Sequence, residues 1–130
     1  MKKVRHFISI NDLTASEIKK IFDLALKIKR NPRKYNLALK DKTLAMIFEK
    51  PSLRTRVSFE AGMTQLGGYA VYLGPNDIQM GVREISADIA RNLERMTDII
   101  MARVFEHQKL IDLSKNTKVP VINGLSDLEH

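Results

Sequence analysis

Leu44-Ala45-Met46-Ile47-Phe48-Glu49-Lys50-Pro51-Ser52-Leu53-Arg54-Thr55-Arg56 changes character halfway along. Its first five residues are an apolar run of strand length, and the rest leads into a helical pattern over 54–66 that closes on Gly67-Gly68. The same alternation continues downstream. Apolar runs of strand length recur at 69–73, 98–103 and 119–123. Helical patterns separate them at 85–96, where Ile85, Ile89, Leu93 and Met96 are in phase, and at 107–115. Strands alternating with helices predict an α/β fold, a three-layer sandwich with a central parallel four-stranded sheet and helices on both faces.

Upstream, Thr14-Ala15-Ser16-Glu17 reads as a capping box: the Thr14 hydroxyl can accept from the Glu17 amide while the Glu17 carboxylate reaches back to the cap. Ile18, Ile21, Phe22, Ala25 and Ile28 then repeat at three and four residues until Lys29-Arg30-Asn31-Pro32 stops the helix. This apolar stripe is expected to pack on a later part of the chain. Lys19, Lys20, Lys27, Lys29, Arg30, Arg33 and Lys34 have only Phe22 and Tyr35 among them, which favours a solvated helix face over a nucleic-acid surface.

The 130 residues suffice for one domain spanning 1–130 and are too few for a cleft between two large domains. With 44% apolar and 28% charged residues the chain is expected to fold. Its net charge of +7 is concentrated at one end, since residues 1–50 hold 13 basic and 5 acidic residues and the remainder 9 and 10. The absence of cysteine excludes disulfides, thiolate zinc sites and cysteine nucleophiles, and makes a reducing cytoplasm the expected location. Met1-Lys2-Lys3-Val4-Arg5-His6-Phe7 lacks the apolar stretch that follows the charges of a secretory signal. No apolar run approaches the roughly 20 residues needed to span a bilayer, so no membrane partner is expected.

Ligands of open α/β sheets bind beyond the carboxyl ends of the strands, which directs attention to the loops after residues 48, 73, 103 and 123. The first of these places Ser52, Arg54, Thr55 and Arg56 at a helix N-terminus. The helix dipole makes that end positive, so each cation there is unfavourable by roughly 0.3–1 kcal/mol unless an anion lies among them. A phosphate reverses the sign, because free amides, hydroxyls and a guanidinium fork all suit a dianion. The alternative is surface pairing of Arg54 and Arg56 with carboxylates such as Glu49 and Glu60.

There is no Gly-x-x-x-x-Gly-Lys-Ser/Thr loop and no Gly-x-Gly-x-x-Gly fingerprint, so nucleotide hydrolysis and dinucleotide binding lose support. Arg103 ends the third strand and His130 follows the fourth, so both can converge on the edge that carries 52–56. Arginine and imidazole beside a phosphate suit the stabilisation of charge on a carbonyl oxygen. His6 reads as structural, His107 as a polar helix-start residue, and the six methionines as core or loop filler. No His/Asp/Glu cluster has metal-ligand spacing, so no metal is expected.

Phe48-Glu49-Lys50-Pro51-Ser52-Leu53-Arg54-Thr55-Arg56-Val57-Ser58-Phe59-Glu60 resembles the carbamoyl phosphate signature, commonly Ser-Thr-Arg-Thr-Arg, of the aspartate/ornithine carbamoyltransferases. The likeness covers the whole chain. His6-Phe7-Ile8-Ser9 with Asp12-Leu13, Leu66-Gly67-Gly68, Met101-Ala102-Arg103 and the stretch from Val119-Pro120 to Ser126-Asp127 resemble the ornithine branch in particular.

The resemblance implies the first domain of a two-domain enzyme whose active units are trimers or multiples of trimers, with the amino-acid-binding domain absent here. The family pattern continues past the residue matching His130 as His-Pro-x-Gln, so the chain is expected to be part of a longer whole and inactive alone. By the same resemblance, Ser52, Arg54 and Thr55, with the amide of Leu53, hold the phosphate, while Thr55, Arg103 and His130 polarise the carbamoyl oxygen. Arg56 supports the loop. Gln79 matches a residue that reaches a neighbouring subunit's site, Arg83 sits where members vary, and the main chain at Leu125 matches part of the amino-acid pocket. Leu53 stands where the family usually has Thr. The implied substrates are carbamoyl phosphate and ornithine, or another acceptor such as aspartate, putrescine or an acylated ornithine, and no cofactor is implied.

Overall fold

Residues 4–130 are described by a computed structural model; Met1-Lys2-Lys3, which open the stretch inspected for a secretory signal, lie outside them. Four strands, β1 (Thr43–Phe48), β2 (Tyr69–Leu73), β3 (Ile99–Arg103) and β4 (Val121–Leu125), form one parallel sheet in the order β2-β1-β3-β4. The helices are α1 (Ala15–Arg30), α2 (Leu53–Gln65), α3 (Pro75–Ile78), α4 (Ser86–Leu93) and α5 (His107–Lys115).

All of residues 44–48 are buried, because β1 is central and covered on both faces. Ala45 and Ile47 share one core with Ile100 and Ala102 of β3, closed by Ile89 of α4 and by Leu110 and Leu113 of α5. Leu44, Met46 and Phe48 share the opposite core with Met101, closed by Met63 and Phe59 of α2. The three-layer α/β sandwich expected from the alternation is therefore formed. The chain runs outward from β1 to β2, then crosses back to β3 on the other side of β1. With right-handed crossovers, that reversal puts the connecting helices on opposite faces and opens a crevice at the carboxyl ends of β1 and β3.

Four expectations need correction. The fourth strand lies at Val121–Leu125 and not at 119–123, because Pro120 has no amide for the ladder and the pairing shifts register between Ala102 and Arg103, carrying the strand past Gly124. The helix expected over 85–96 is Ser86–Leu93. Beyond it the Leu93 carbonyl accepts from Met96 N, Thr97 N and the Thr97 hydroxyl at 2.9–3.0 Å, which tightens the last turn. Ile85 and Met96 consequently stay exposed. The loop 74–84 contains α3, whose Gly74 amide donates to Asp77 Oδ2 at 2.6 Å.

The largest correction concerns α1. Its capping box forms as expected, with Glu17 N donating to Thr14 Oγ1 and Thr14 N to Glu17 Oε2. No residue of α1 is buried, however, and Phe22 is 65% exposed. The buried strand faces are already matched to α2, α4 and α5, which leaves α1 at the periphery against the 3-10 turn Pro32–Tyr35. Ile21 reaches only a shallow groove beside Phe7 and Pro120.

Candidate functional site

The crevice at β1 and β3 is built by the two chain segments that leave those strands. Ser52 occupies the N-cap of α2 but makes no cap hydrogen bond; its hydroxyl donates instead to Thr55 Oγ1 at 3.0 Å. The first turn of α2 holds no acidic residue. Its leading amides therefore lack a side-chain acceptor, and the positive end of the dipole is uncompensated.

Arg54 is exposed at the cleft and has no ion-pair partner among the described residues. Arg56 turns away. Its Nε lies 3.3 Å from Glu60 Oε1 and its guanidinium stacks 3.7 Å over the Tyr72 ring, which ties α2 to β2. Of the surface pairings weighed against an anion site, only Arg56 with Glu60 is formed. Glu49 is committed elsewhere, accepting from Lys109 Nζ at 2.6 Å and from Phe105 N at 2.7 Å.

Arg103 comes in from β3, and its Nη1 donates to Thr55 Oγ1 at 3.2 Å. Its Nε is buried without a hydrogen-bond partner, and no carboxylate pairs with it among the described residues. A buried guanidinium donor left unsatisfied is costly, by about 1–3 kcal/mol or more, so the site favours an acceptor that this chain does not supply.

Ser52, Arg54, Thr55, Arg103, Leu125 and His130 all line one cleft of about 790 Å³, with Phe7, Phe59 and Asn123 among its other walls. His130 is exposed there. Leu125 is held at φ 141, a conformation side chains rarely adopt, by the bulge at Gly124. Its amide donates to Asn123 Oδ1 at 2.9 Å and its carbonyl accepts from Val104 N at 3.0 Å.

Two expected site residues lie apart. Leu53 is 79% exposed and its side chain lines an outer groove with Val57 and Ala61, so only its main chain faces the anion end of α2. Gln79, at φ 51 after α3, lines a separate cavity of about 180 Å³ with Glu49, Pro75 and Phe105. His6 behaves structurally: its Nδ1 accepts from Val121 N at 3.2 Å, and burial lowers its pKa against the opposing pull of Asp12. Sequence reasoning passed over Asn123 and Ser126, although both lie in the stretch quoted for the family likeness. An Asn beside a strand glycine was the available signal for Asn123.

The class follows from the placement of charge. An α/β domain that keeps two guanidinium groups away from carboxylates at the switch point of its sheet has the charge that suits an anion. The chain belongs to the aspartate/ornithine carbamoyltransferase family, since the pattern described as "Aspartate/ornithine carbamoyltransferase, carbamoyl-P binding domain" matches residues 5–130.

It is 53% identical to the chloroplastic ornithine carbamoyltransferase of Pisum sativum over 130 residues, covering 98% of this chain and 35% of the pea protein. It is 50% identical to the putrescine carbamoyltransferase of Mycoplasma capricolum, covering 100% of this chain and 36% of that protein. The anabolic ornithine carbamoyltransferase of Campylobacter jejuni superposes with a TM-score of 0.90 at 43% identity, over 95% of this chain and 40% of that one. The chain thus spans well under half the length of the relatives it matches.

Proposed function

We propose that this chain is the carbamoyl phosphate-binding domain of an ornithine carbamoyltransferase. The observation that carries the proposal is the convergence of Arg54, at an uncapped helix end, with the unpaired Nε of Arg103 on one cleft. Ser52, Arg54, Thr55 and the Leu53 amide hold the phosphate; Thr55, Arg103 and His130 polarise the carbamoyl oxygen. The neutral δ-amine of ornithine attacks the carbamoyl carbon, a tetrahedral oxyanion forms, and the C–O bond breaks as phosphate leaves carrying the proton shed by the attacking nitrogen, giving citrulline. Catalysis on this reading is positioning plus electrostatics, with Arg54 taking charge on the departing phosphate and Arg103 and His130 on the oxyanion.

The main chain at Leu125 contributes to the amino-acid pocket, whose remainder belongs to a second domain. The working unit is a homotrimer or a multiple of it, in which Gln79 serves a neighbour's site; its place outside this chain's own cleft supports that role. The proposed setting is the cytoplasm, in arginine metabolism.

Calorimetric titration of the chain with carbamoyl phosphate and with inorganic phosphate, at fixed salt, tests the anion site. Saturable binding is expected, weakened about 10- to 100-fold in Arg54→Ala, the range for losing a hydrogen bond to a charged group. A folded parent that binds neither ligand would falsify the reading. A second acceptor is favoured by one specific finding, the likeness to a putrescine carbamoyltransferase. Carbamoylation of ornithine and of putrescine, measured side by side, separates the two, and no turnover is expected from these 130 residues alone.

A further inference from the structure

Among the described residues, Ser126 is the one buried polar residue, 6% exposed, yet it lines no part of the cleft. Its hydroxyl is crowded with polar contacts. Leu128 N and Glu129 N donate to Oγ at 3.3 and 3.1 Å, the Glu129 carbonyl lies 3.1 Å away, and His107 Nδ1 lies 2.8 Å away. A serine hydroxyl has one hydrogen and two lone pairs. The two amides donate to it, its hydrogen has the Glu129 carbonyl in reach, His107 Nδ1 lies beside it, and the Glu129 carbonyl also accepts from Ser126 N at 2.8 Å.

Further bonds hold the same turn. His107 N donates to Asp127 Oδ1 at 2.8 Å, and Asp127 N donates to the Phe105 carbonyl at 2.9 Å, so the start of α5 grips the turn from outside. Asn123 Nδ2 donates to the carbonyls of Ile8 and Glu129 at 2.9 and 3.3 Å and grips it from inside. All of these bonds except Asn123 to the Ile8 carbonyl have an end on residues 126–129, and the next residue is His130, which lines the cleft. So many bonds around one surface turn exceed what chain closure requires, and their product is a fixed starting point for one imidazole.

We propose that Ser126 is a positioning residue: its hydroxyl, braced by His107, locks the 126–129 turn and so aims His130 at the carbamoyl end of the bound ligand. The inference rests on the reading of the cleft given under Proposed function. It separates two ligands that share a phosphate. On that reading inorganic phosphate needs Ser52, Arg54, Thr55 and the Leu53 amide, none of which bonds to residues 126–129, whereas carbamoyl phosphate also needs His130.

The test is calorimetric titration of the parent chain, Ser126→Ala and Ser126→Thr with both ligands, alongside NMR of the His130 ring. Ser126→Ala is expected to weaken carbamoyl phosphate binding by about 5- to 10-fold, the effect of one lost neutral hydrogen bond, and to leave inorganic phosphate within about twofold. Ser126→Thr, which restores a hydroxyl, recovers most of the difference, and the carbamoyl phosphate-induced shift of the His130 ring fades only in the alanine variant. Should Ser126→Ala not fold, His107→Ala removes the brace from a partly exposed position and is expected to show the same preference for inorganic phosphate. Equal losses for both ligands, or an unchanged carbamoyl phosphate affinity with the His130 shift intact, overturns the positioning role and leaves the cleft assignment standing. A parent that binds neither ligand removes both.

Discussion

At position 53 the chain carries leucine where its family usually has threonine, and the structure limits what that change can do. The side chain is 79% exposed on the outer face of α2, beside Val57 and Ala61, while the amide keeps its place at the helix N-terminus. Leu53→Thr is therefore expected to alter phosphate affinity by no more than about threefold and stability by about 0.5 kcal/mol or less, as for other surface changes. Titration and urea unfolding of the two proteins check this. A tenfold gain in affinity from the threonine would mean that the missing hydroxyl is a ligand contact. Position 103 illustrates the opposite case, since its demand for an acceptor arises from burial. The sequence placed Arg103 at the end of a strand; only the packing reveals that its Nε is enclosed without a partner.

Among the elements, β1 and α2 were legible because their patterns are local: an unbroken apolar run and a helical repeat closed by paired glycines. β4 was displaced by two residues because its limits depend on which neighbour it pairs with, and a proline and a bulge set them. Gly124 shows how tight that pairing is. A Cβ there would lie 2.4 Å from Met101 Sδ and 3.2 Å from the Ala102 carbonyl oxygen, both in the buried sheet. Gly124→Ala is expected to cost about 1–3 kcal/mol, the usual penalty for overpacking, and to loosen Leu125 and the turn after it. Equilibrium unfolding measures the first effect; an unchanged midpoint would show that Met101 moves aside freely. The cleft itself was half legible. The charge of residues 52–56 at a helix start could be read directly, whereas the cage around Ser126 is assembled from separate segments and has no sequence period.

Across the whole molecule, stability is unevenly placed. Phe48 is 1% exposed at the centre of the sheet and Phe22 is 65% exposed on α1. Phe48→Ala is expected to cost about 3–5 kcal/mol and Phe22→Ala less than about 1 kcal/mol, compared by denaturant midpoint. Equal losses would mean that α1 is packed in solution against something this chain provides. Among the described residues, two carboxyls are held below their ordinary range. Hydrogen bonding from Arg5, then from the Thr14 amide, holds Glu17 at about 2, and Lys42 with the Thr43 amide lowers Asp98. Because both are depressed on folding, their contribution is full above the ordinary carboxylate range near pH 4 and is lost as pH falls through the folded values. Thermal midpoints should decline from about pH 4 towards pH 2, less steeply in high salt because both pairs are solvent-exposed. A flat profile over that range would rule out these two groups as contributors.

The strand order also sets a clock. β1 is synthesised before the other three strands, yet one of its two neighbours, β3, begins 56 residues after it, at Ile99 against Thr43. At translation rates of about 5–20 residues per second, the most apolar strand waits roughly 3–11 s for the partner that completes its burial. During that interval the ribosome holds a nascent chain with an open, parallel-pairing edge, which is the kind of segment that holdase chaperones shield and that truncated synthesis leaves prone to aggregate.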